Sequence, residues 1–206
     1  GYPWQVVQGA GSGAKLNLQS LAYTPCELQG WISLDAAKEI FSTAGLDLQR
    51  AMMAARRPGF KAMPLPYKVK VGLKNDVKEN TSKNVVALLP GTDQKDEYII
   101  FSAHWDHLGV GAVVEGDSIY NGACDNASGS AALLAIAEAL MKSGPHKRTI
   151  VFLWVTAEEQ GLLGSEYYAA HPVFPPAQTV ANLNIDGMFP FGEMNDLSII
   201  GFGQSE

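Results

Sequence analysis

Three apolar runs of strand length in this chain each lead into residues that can bind a metal ion. The runs are residues 98–103, 149–155 and 181–185. The first two runs are continuous, which is typical of strands that a sheet buries on both faces, and the third is predicted as a strand. The residues that follow them are His104, the pair Glu158 and Glu159, and Asp186. In a parallel sheet such residues lie at the carboxyl ends of the strands, where ligands bind.

Helical patterns alternate with these runs. Residues 127–142 and 161–170 have the spacing of apolar side chains that predicts helices. Further strands are predicted at 67–73, 84–89 and 197–201. Strands alternating with helices predict an α/β protein, here a three-layer αβα sandwich with a mostly parallel central sheet.

Residues 1–66 differ from the rest of the chain in their sequence pattern. Ser33 is placed to cap a helix that Gly45 ends, and a second helix fits residues 46–55. The cluster Pro64-Leu65-Pro66 is typical of a linker. We therefore divide the chain into residues 1–66 and residues 67–206.

Composition narrows the classes of function. A hydrophobic content of 47% in 206 residues supports a packed core. A net charge of -6 without a basic run argues against nucleic acid or an anionic membrane as partner, and no apolar stretch is long enough to span a bilayer. Phosphate loops, dinucleotide fingerprints and serine-nucleophile elbows are absent from the sequence.

His104 and Asp106 follow the first apolar run. A neutral imidazole is a good zinc ligand, and a carboxylate two residues on can orient it. The alternative is a strand-end histidine hydrogen-bonded to a nearby carboxylate. Of the other histidines, His107 either lines or flanks the pocket, while His146 and His171 are expected at the surface.

Asp125 stands where the chain enters the predicted helix 127–142. Helix capping is the ordinary role of such an aspartate. However, the small residues at 127–130 would let the helix start approach a site closely, where this carboxylate could bridge two metal ions.

Glu158 and Glu159 can divide two tasks between them. Neighbouring residues at a strand end point in different directions, so one carboxylate can bind metal while the other acts as general base. The alternatives are a solvated acidic turn for this pair and a turn aspartate for Asp186, which precedes Gly187. A set of mostly oxygen ligands with histidine suits zinc, with manganese or cobalt also possible.

Four motifs in this order resemble metallopeptidase family 28, the co-catalytic zinc aminopeptidases of the bacterial leucyl aminopeptidase type. They are FSAHWDHLG, YNGACDNASGSAALL, VTAEEQGLLGSEYY and NLNIDG, within residues 67–206. The segment GWISLDAAKEIFSTAGLDLQ is similar to the end of a protease-associated domain. Residues 1–66 would then be part of such a domain.

The resemblance implies a role for each site residue. His104 and Asp186 would bind one zinc ion, Glu159 would bind a second, and Asp125 would bridge them. Glu158 would be the general base. Asp106 would orient His104, and the peptide bond after Asp125 would be cis.

The resemblance also implies that part of the protein lies outside this chain. The family's last zinc ligand is a histidine well beyond the aspartate, yet none of the 20 residues after Asp186 is a histidine. Because the chain also begins without methionine, we expect either an internal fragment or a protein whose missing segments belong to another chain. Peptides with a free N-terminus are the expected partners, and the expected location is secreted or periplasmic.

Three other functions remain open. A carboxypeptidase or dipeptidase could use the same fold, and so could a single-zinc transferase similar to glutaminyl cyclase. A non-catalytic binding domain that kept the scaffold is the third alternative. The sequence does not indicate the preferred N-terminal residue or the oligomeric state.

Overall fold

The computed structural model describes residue 4, residues 15–19, residues 28–188 and residue 192. The chain divides into two compact units. One comprises Gly1–Ala14 and Tyr23–Asn80, and the other comprises Lys15–Ala22 and Thr81–Glu206. Residues 67–80 thus group with the first unit. The identification of residues 1–66 with a protease-associated domain stays a prediction.

In the first unit, two helices are described. Helix α1 spans Leu34–Thr43 and helix α2 spans Leu48–Ala55. The Ser33 hydroxyl accepts a hydrogen bond from the Ala36 N–H, which confirms it as the N-cap of α1. Helix α2 begins two residues later than predicted because Asp47 caps it, accepting from the Arg50 N–H at 2.8 Å.

The second unit contains a four-stranded sheet and a separate hairpin. The strands, in chain order, are β1 Val85–Leu89, β2 Gln94–His104, β3 Gly109–Val114, β4 Asp117–Tyr120, β5 Arg148–Val155 and β6 Thr179–Asn184. The large sheet has the order β1–β5–β2–β6. Strand β1 is antiparallel to β5, whereas the β5–β2 and β2–β6 pairs are parallel. The predicted mostly parallel sheet is therefore confirmed.

Helices cover both faces of this sheet. Alternate residues of β5 point to opposite faces, as strand geometry requires. Val151, Leu153 and Val155 pack on one face with Tyr168 of helix α4 (Leu163–Ala170). On the other face, Phe152 packs against Leu133 and its neighbours in helix α3 (Ser128–Ser143). These contacts confirm the three-layer αβα arrangement.

Two expectations differ from the structure. Residues 67–73 do not form a strand, and Val69 is 81% exposed, because no neighbouring described strand offers them a ladder of hydrogen bonds. The β3–β4 hairpin was not predicted. Its turn contains Glu115 and Gly116, both with positive φ. An acidic residue followed by glycine is the sequence pattern that could have predicted this turn. The predicted strand at 197–201 lies outside the described residues.

No helix in the described ranges combines the length and apolar character needed to cross a membrane.

A buried carboxamide fixes the start of α3. Asn126 is 1% exposed, and its side-chain oxygen accepts from the Gly129 N–H at 2.9 Å. Its Nδ2 donates to the Ile185 carbonyl at 2.9 Å, and the Gly187 N–H approaches its oxygen at 3.4 Å. Asn126 therefore ties the helix to the segment that follows β6, which places Asp125 beside Asp186.

Gly129 makes this junction possible. A Cβ at this position would lie 2.3 Å from Asn126 Oδ1 and 2.5 Å from the Ile185 carbonyl oxygen. We expect Gly129→Ala to destabilise the protein by about 1–3 kcal/mol, the usual cost of overpacking a close contact. A melting temperature lowered by several degrees in a thermal unfolding scan would show this.

Gly72→Ala is the matched control, because no atom lies within 4 Å of its added Cβ. If both variants melt together, the close packing at Gly129 is not a constraint on the fold.

Candidate metal centre

The parallel pairing of β2 with β5 brings the first two site segments together. In this register His104 lies beside Val155 at the carboxyl end of both strands. The Trp105 N–H then donates to the Val155 carbonyl at 3.0 Å, which extends the pairing by one residue. Glu158 and Glu159 follow β5 after Thr156 and Ala157. The turn that carries them therefore begins beside His104.

Hydrogen bonds hold this acidic turn. The Asn84 side chain accepts from the Thr156 N–H at 3.1 Å and donates to the Gly164 carbonyl at 2.8 Å, which joins the two ends of the turn. A Cβ on Gly164 would lie 2.3 Å from the Thr156 carbonyl oxygen, so only glycine fits there. Ala157 has a φ of 53°, a strained backbone conformation of the kind that occurs at functional sites.

A first group of candidate metal ligands surrounds His104. The imidazole is 2% exposed, and its Nε2 lies 3.0 Å from Asp125 Oδ1 and 3.3 Å from Asp186 Oδ1. These three atoms are close enough together to bind one metal ion. Asp125 comes from the turn before α3 and Asp186 from the segment after β6, so three separate parts of the chain meet here.

The orientation of the His104 ring suits a metal ligand. Its Nδ1 lies 3.0 Å from the backbone carbonyl oxygen of Asp106, and the carboxylate of Asp106 is farther away at 3.9 Å. A proton on Nδ1 donates to that carbonyl, which leaves Nε2 unprotonated and free to bind metal. Asp106 thus meets the ring mainly through its backbone.

A second group of candidate metal ligands lies nearby. It consists of His107, Asp125 and Glu159, with His107 Nδ1 and Glu159 Oε1 2.6 Å apart. Asp125 belongs to both groups. His107 was expected only to line or flank the pocket, and its approach to Glu159 could not be read from the sequence, because it depends on the path of the chain after β2.

Unsatisfied buried atoms indicate that the site fits a cation. His104 Nε2, His107 Nδ1 and Glu159 Oε1 are shielded from solvent and have no hydrogen-bond partner, although carboxylates stand within reach of both rings. Buried polar atoms without a partner are costly. Nitrogen and oxygen atoms that lie close together without forming hydrogen bonds are typical of the ligands of a metal ion.

The charges at the site lead to the same conclusion. Burial is the largest influence on the pKa of His104 and lowers it. The hydrogen bond to the Asp106 carbonyl and the fields of Glu158 and Asp186 raise the pKa, and its net value lies above 6.5. The carboxylates therefore favour a positive charge at this position, which a proton or a metal ion can supply.

Glu158 stands beside the first group without belonging to either. Its Oε2 lies 3.8 Å from His104 Nε2, and its backbone N–H donates to Asp106 Oδ1 at 3.2 Å. Burial, followed by repulsion from Glu159 and Asp186, raises the pKa of Glu158 above 4.5, although attraction to His104 opposes the rise. A carboxyl group with a raised pKa is suited to proton transfer.

The structure brings all the predicted site residues to one edge of the sheet. They are His104, Asp106, Asp125, Glu158, Glu159 and Asp186. The peptide bond between Asp125 and Asn126 is cis, as the resemblance implied. The individual roles of these residues stay predictions at this point.

Comparison with known proteins identifies the family of the chain. The model of peptidase family M28 matches residues 84–205, more than half of the chain. The chain belongs to peptidase family M28. The match begins at Asn84, whose side chain holds the acidic turn, and includes every candidate ligand.

Several curated proteins are similar to parts of the chain. Mouse aminopeptidase NAALADL1 is 33% identical over 138 residues, which cover 63% of this chain and 17% of that protein. A probable zinc metalloprotease of Pyrenophora tritici-repentis is 36% identical over 110 residues, with coverages of 52% and 21%. The probable glutamate carboxypeptidase AMP1 of Arabidopsis thaliana is 32% identical over 134 residues, with coverages of 63% and 17%.

The chain therefore spans about a fifth of the length of these relatives. Among solved structures, the Legionella pneumophila LapA aminopeptidase is 29% identical, with a TM-score of 0.39, and the match covers 50% of this chain and 25% of that one.

The raised pKa of His104 predicts how the metal-free protein responds to pH. Stability gained from the protonated ring is complete below the unfolded value of 6.5 and is lost as the pH rises through the higher folded value. The raised pKa of Glu158 acts in the same direction from 4.5 upward. We expect the melting temperature of chelator-treated protein to fall as the pH rises above about 6.5.

The variant His104→Gln should flatten this slope, and His171→Gln should leave it unchanged, because His171 lies in an exposed turn. A slope that is identical in wild type and His104→Gln would show that the carboxylates do not hold a proton on this ring.

Proposed function

We propose that the protein is a zinc-dependent exopeptidase that removes residues from the N-terminus of peptides. The observation that carries this proposal is a pair of ligand groups that share Asp125, with Glu158 beside them and outside both. A shared carboxylate would hold two metal ions close together, as two-metal hydrolases require. Membership of peptidase family M28 supports peptide-bond hydrolysis as the reaction.

Zinc is the metal that the donor set favours. Each group offers one imidazole nitrogen and carboxylate oxygens from two residues, and zinc binds both kinds of ligand. The first zinc ion would be held by His104 and Asp186, the second by Glu159, and both by Asp125. The relative in Pyrenophora tritici-repentis, described as a probable zinc metalloprotease, supports this choice.

Glu158 is proposed as the general base. Two zinc ions, when bound, supply Lewis acidity toward water and the scissile carbonyl. Glu158 takes a proton from the attacking water and delivers it to the leaving amine, so one carboxyl group serves both halves of the reaction. Its raised pKa favours this exchange, since a strongly acidic carboxylate would hold the proton too weakly.

Asp106 is proposed as a positioning residue for this base. Its carbonyl oxygen faces His104 Nδ1, and its carboxylate accepts the Glu158 N–H. One residue thereby orients both the imidazole of the first ligand group and the backbone that carries the base.

The preference for N-termini rests on resemblance. The mouse relative is named an aminopeptidase, and the family resemblance of the four motifs points to the same class. A carboxypeptidase is the second candidate, because the Arabidopsis relative is named a probable glutamate carboxypeptidase. Peptides with a free N-terminus as partners, and a secreted or periplasmic location, are further parts of the proposal that rest on the resemblance.

Replacement of the base tests the mechanism. We expect Glu158→Gln to lower the turnover of an aminoacyl p-nitroanilide by about 100- to 10,000-fold, since proton transfer is lost while the shape of the side chain is kept. Zinc content by elemental analysis should stay at the wild-type value, because Glu158 belongs to neither ligand group.

Glu138→Gln is the control, because Glu138 is an exposed residue that pairs with Lys142 on α3. Near-normal turnover in Glu158→Gln would remove Glu158 from the mechanism, and a protein without zinc would favour a non-catalytic binding domain.

A matched panel of peptides tests the direction of cleavage. The panel contains one peptide with both ends free, one acetylated at the N-terminus and one amidated at the C-terminus. An aminopeptidase should cleave the free and amidated peptides and leave the acetylated peptide intact, as mass spectrometry of the products would show. Cleavage that requires a free C-terminus would assign a carboxypeptidase instead.

A further inference from the structure

We propose that Ser130 is a positioning residue for the first group of candidate metal ligands. Its hydroxyl holds the backbone of His104 against the first turn of α3, the helix that follows Asp125. The proposal deepens the proposed function and rests on it where it concerns metal binding. It also makes a claim about the metal-free protein, that one hydroxyl on α3 sets the spacing between His104 and Asp125.

The peptide group between His104 and Trp105 is where the contact is made. Its N–H, which belongs to Trp105, donates to the Val155 carbonyl of β5 at 3.0 Å. In a trans peptide the carbonyl points away from the N–H, so the His104 carbonyl is directed away from β5. On that side the register pairs of β2 with β6 end at Ser102 and Asn184. The His104 carbonyl therefore lies past the end of the ladder and needs another donor.

Ser130 supplies that donor. Its Oγ–H donates to the His104 carbonyl at 3.0 Å, from a position 26 residues further along the chain. The peptide group after His104 is thus held by α3 through its oxygen and by β5 through its N–H. The side chain of His104 is 2% exposed, so a backbone fixed in this way leaves the imidazole little freedom.

A second contact fixes Ser130 itself. The Trp154 indole N–H donates to the Ser130 carbonyl at 3.3 Å. Trp154 lies opposite Ala103 in the register of β2 with β5. The first turn of α3 is therefore joined to both strands, to β2 through the Ser130 hydroxyl and to β5 through the Ser130 carbonyl.

These contacts set the distance between two candidate ligands. Asp125 is followed by Asn126, whose side chain accepts from the Gly129 N–H at 2.9 Å in the first turn of α3. Ser130 is the next residue of that turn, and it holds His104. His104 Nε2 and Asp125 Oδ1 lie 3.0 Å apart. Both ligands are therefore held by the same helical turn, one through a carboxamide and the other through a hydroxyl.

Another serine of α3 provides a matched control. The Ser143 hydroxyl donates to the Leu140 carbonyl at 3.0 Å, within the last turn of the same helix. Ser130→Ala and Ser143→Ala each remove one hydroxyl that donates to a backbone carbonyl. They differ in where that carbonyl lies, since the bond from Ser130 reaches the site and the bond from Ser143 stays within α3.

Zinc titration of the metal-free chain, followed at the His104 ring, tests the proposal. In a long-range proton–nitrogen spectrum of nitrogen-15 histidine-labelled protein, zinc should shift the His104 Nε2 signal, which is assigned by its absence in His104→Gln. We expect Ser130→Ala to need about 10- to 100-fold more free zinc for this shift, the usual loss when a group that orients a ligand is removed. Ser143→Ala should keep the wild-type affinity.

Amide hydrogen exchange on chelator-treated protein gives a readout without metal. We expect the Trp105 N–H to exchange about tenfold faster in Ser130→Ala than in Ser143→Ala, because its peptide group has lost the anchor on α3. The Val151 N–H, within the paired part of β5, should exchange alike in the two variants. This comparison separates a local release of the strand end from a general loss of stability.

The outcomes distinguish this proposal from the proposed function. If wild type binds zinc at His104, unchanged zinc affinity or unchanged Trp105 exchange in Ser130→Ala refutes the role of Ser130 and leaves the proposed function standing. Faster exchange at Trp105 and Val151 alike also overturns that role, because the whole fold would then be weakened. If wild type binds no zinc at His104, the proposed function fails, and the exchange of Trp105 alone decides whether Ser130 holds the strand end.

Discussion

The parallel pairing of β2 with β5 is the constraint from which the site follows. Strand β5 and the carboxyl-terminal half of β2 are mostly buried, so their positions are fixed by packing on two faces of the sheet. Their common direction puts His104 and the turn of Glu158 and Glu159 at the same edge. An antiparallel pair in this place would put the two segments at opposite edges, and the imidazole would lose its acidic neighbours.

Asn126 connects this edge to the rest of the site. Its carboxamide joins the first turn of α3 to the segment after β6, and those two segments carry Asp125 and Asp186. The side chain is buried and its donor and its acceptor are both used, so the junction allows little freedom. The spacing between the candidate ligands therefore depends on a residue that binds no metal itself.

The carboxylates at this edge explain why the site is both costly and useful. Negative charges gathered around a buried imidazole repel one another unless a cation lies among them. The same field raises the pKa of Glu158, which prepares that carboxyl group for proton transfer. The repulsion and the suitability for hydrolysis therefore have the same cause, which is the cluster of carboxylates. We expect metal binding to relieve the repulsion and to enable hydrolysis.

Much of the fold could be predicted from the sequence. The patterns at 98–103, 149–155 and 181–185 identified β2, β5 and β6 to within a few residues. Strand β5 is buried on both faces, as its continuous apolar run indicates, whereas β6 is mostly exposed. The β3–β4 hairpin was not predicted, because its strands are short and largely exposed. The strand predicted at 67–73 is absent, because a strand also needs a neighbouring strand to pair with.

For the site, the sequence by itself determined which residue types are present and which strand end each one follows, and those facts depend on local pattern alone. Tertiary structure decided the rest. It brings together residues that are far apart in the sequence, such as Gly187 and Asn126, which are 61 positions apart. Other examples are the approach of His107 to Glu159 and the presence of Asp125 in both ligand groups. Distances of this kind are set by how strands and helices pack, and no local pattern contains them.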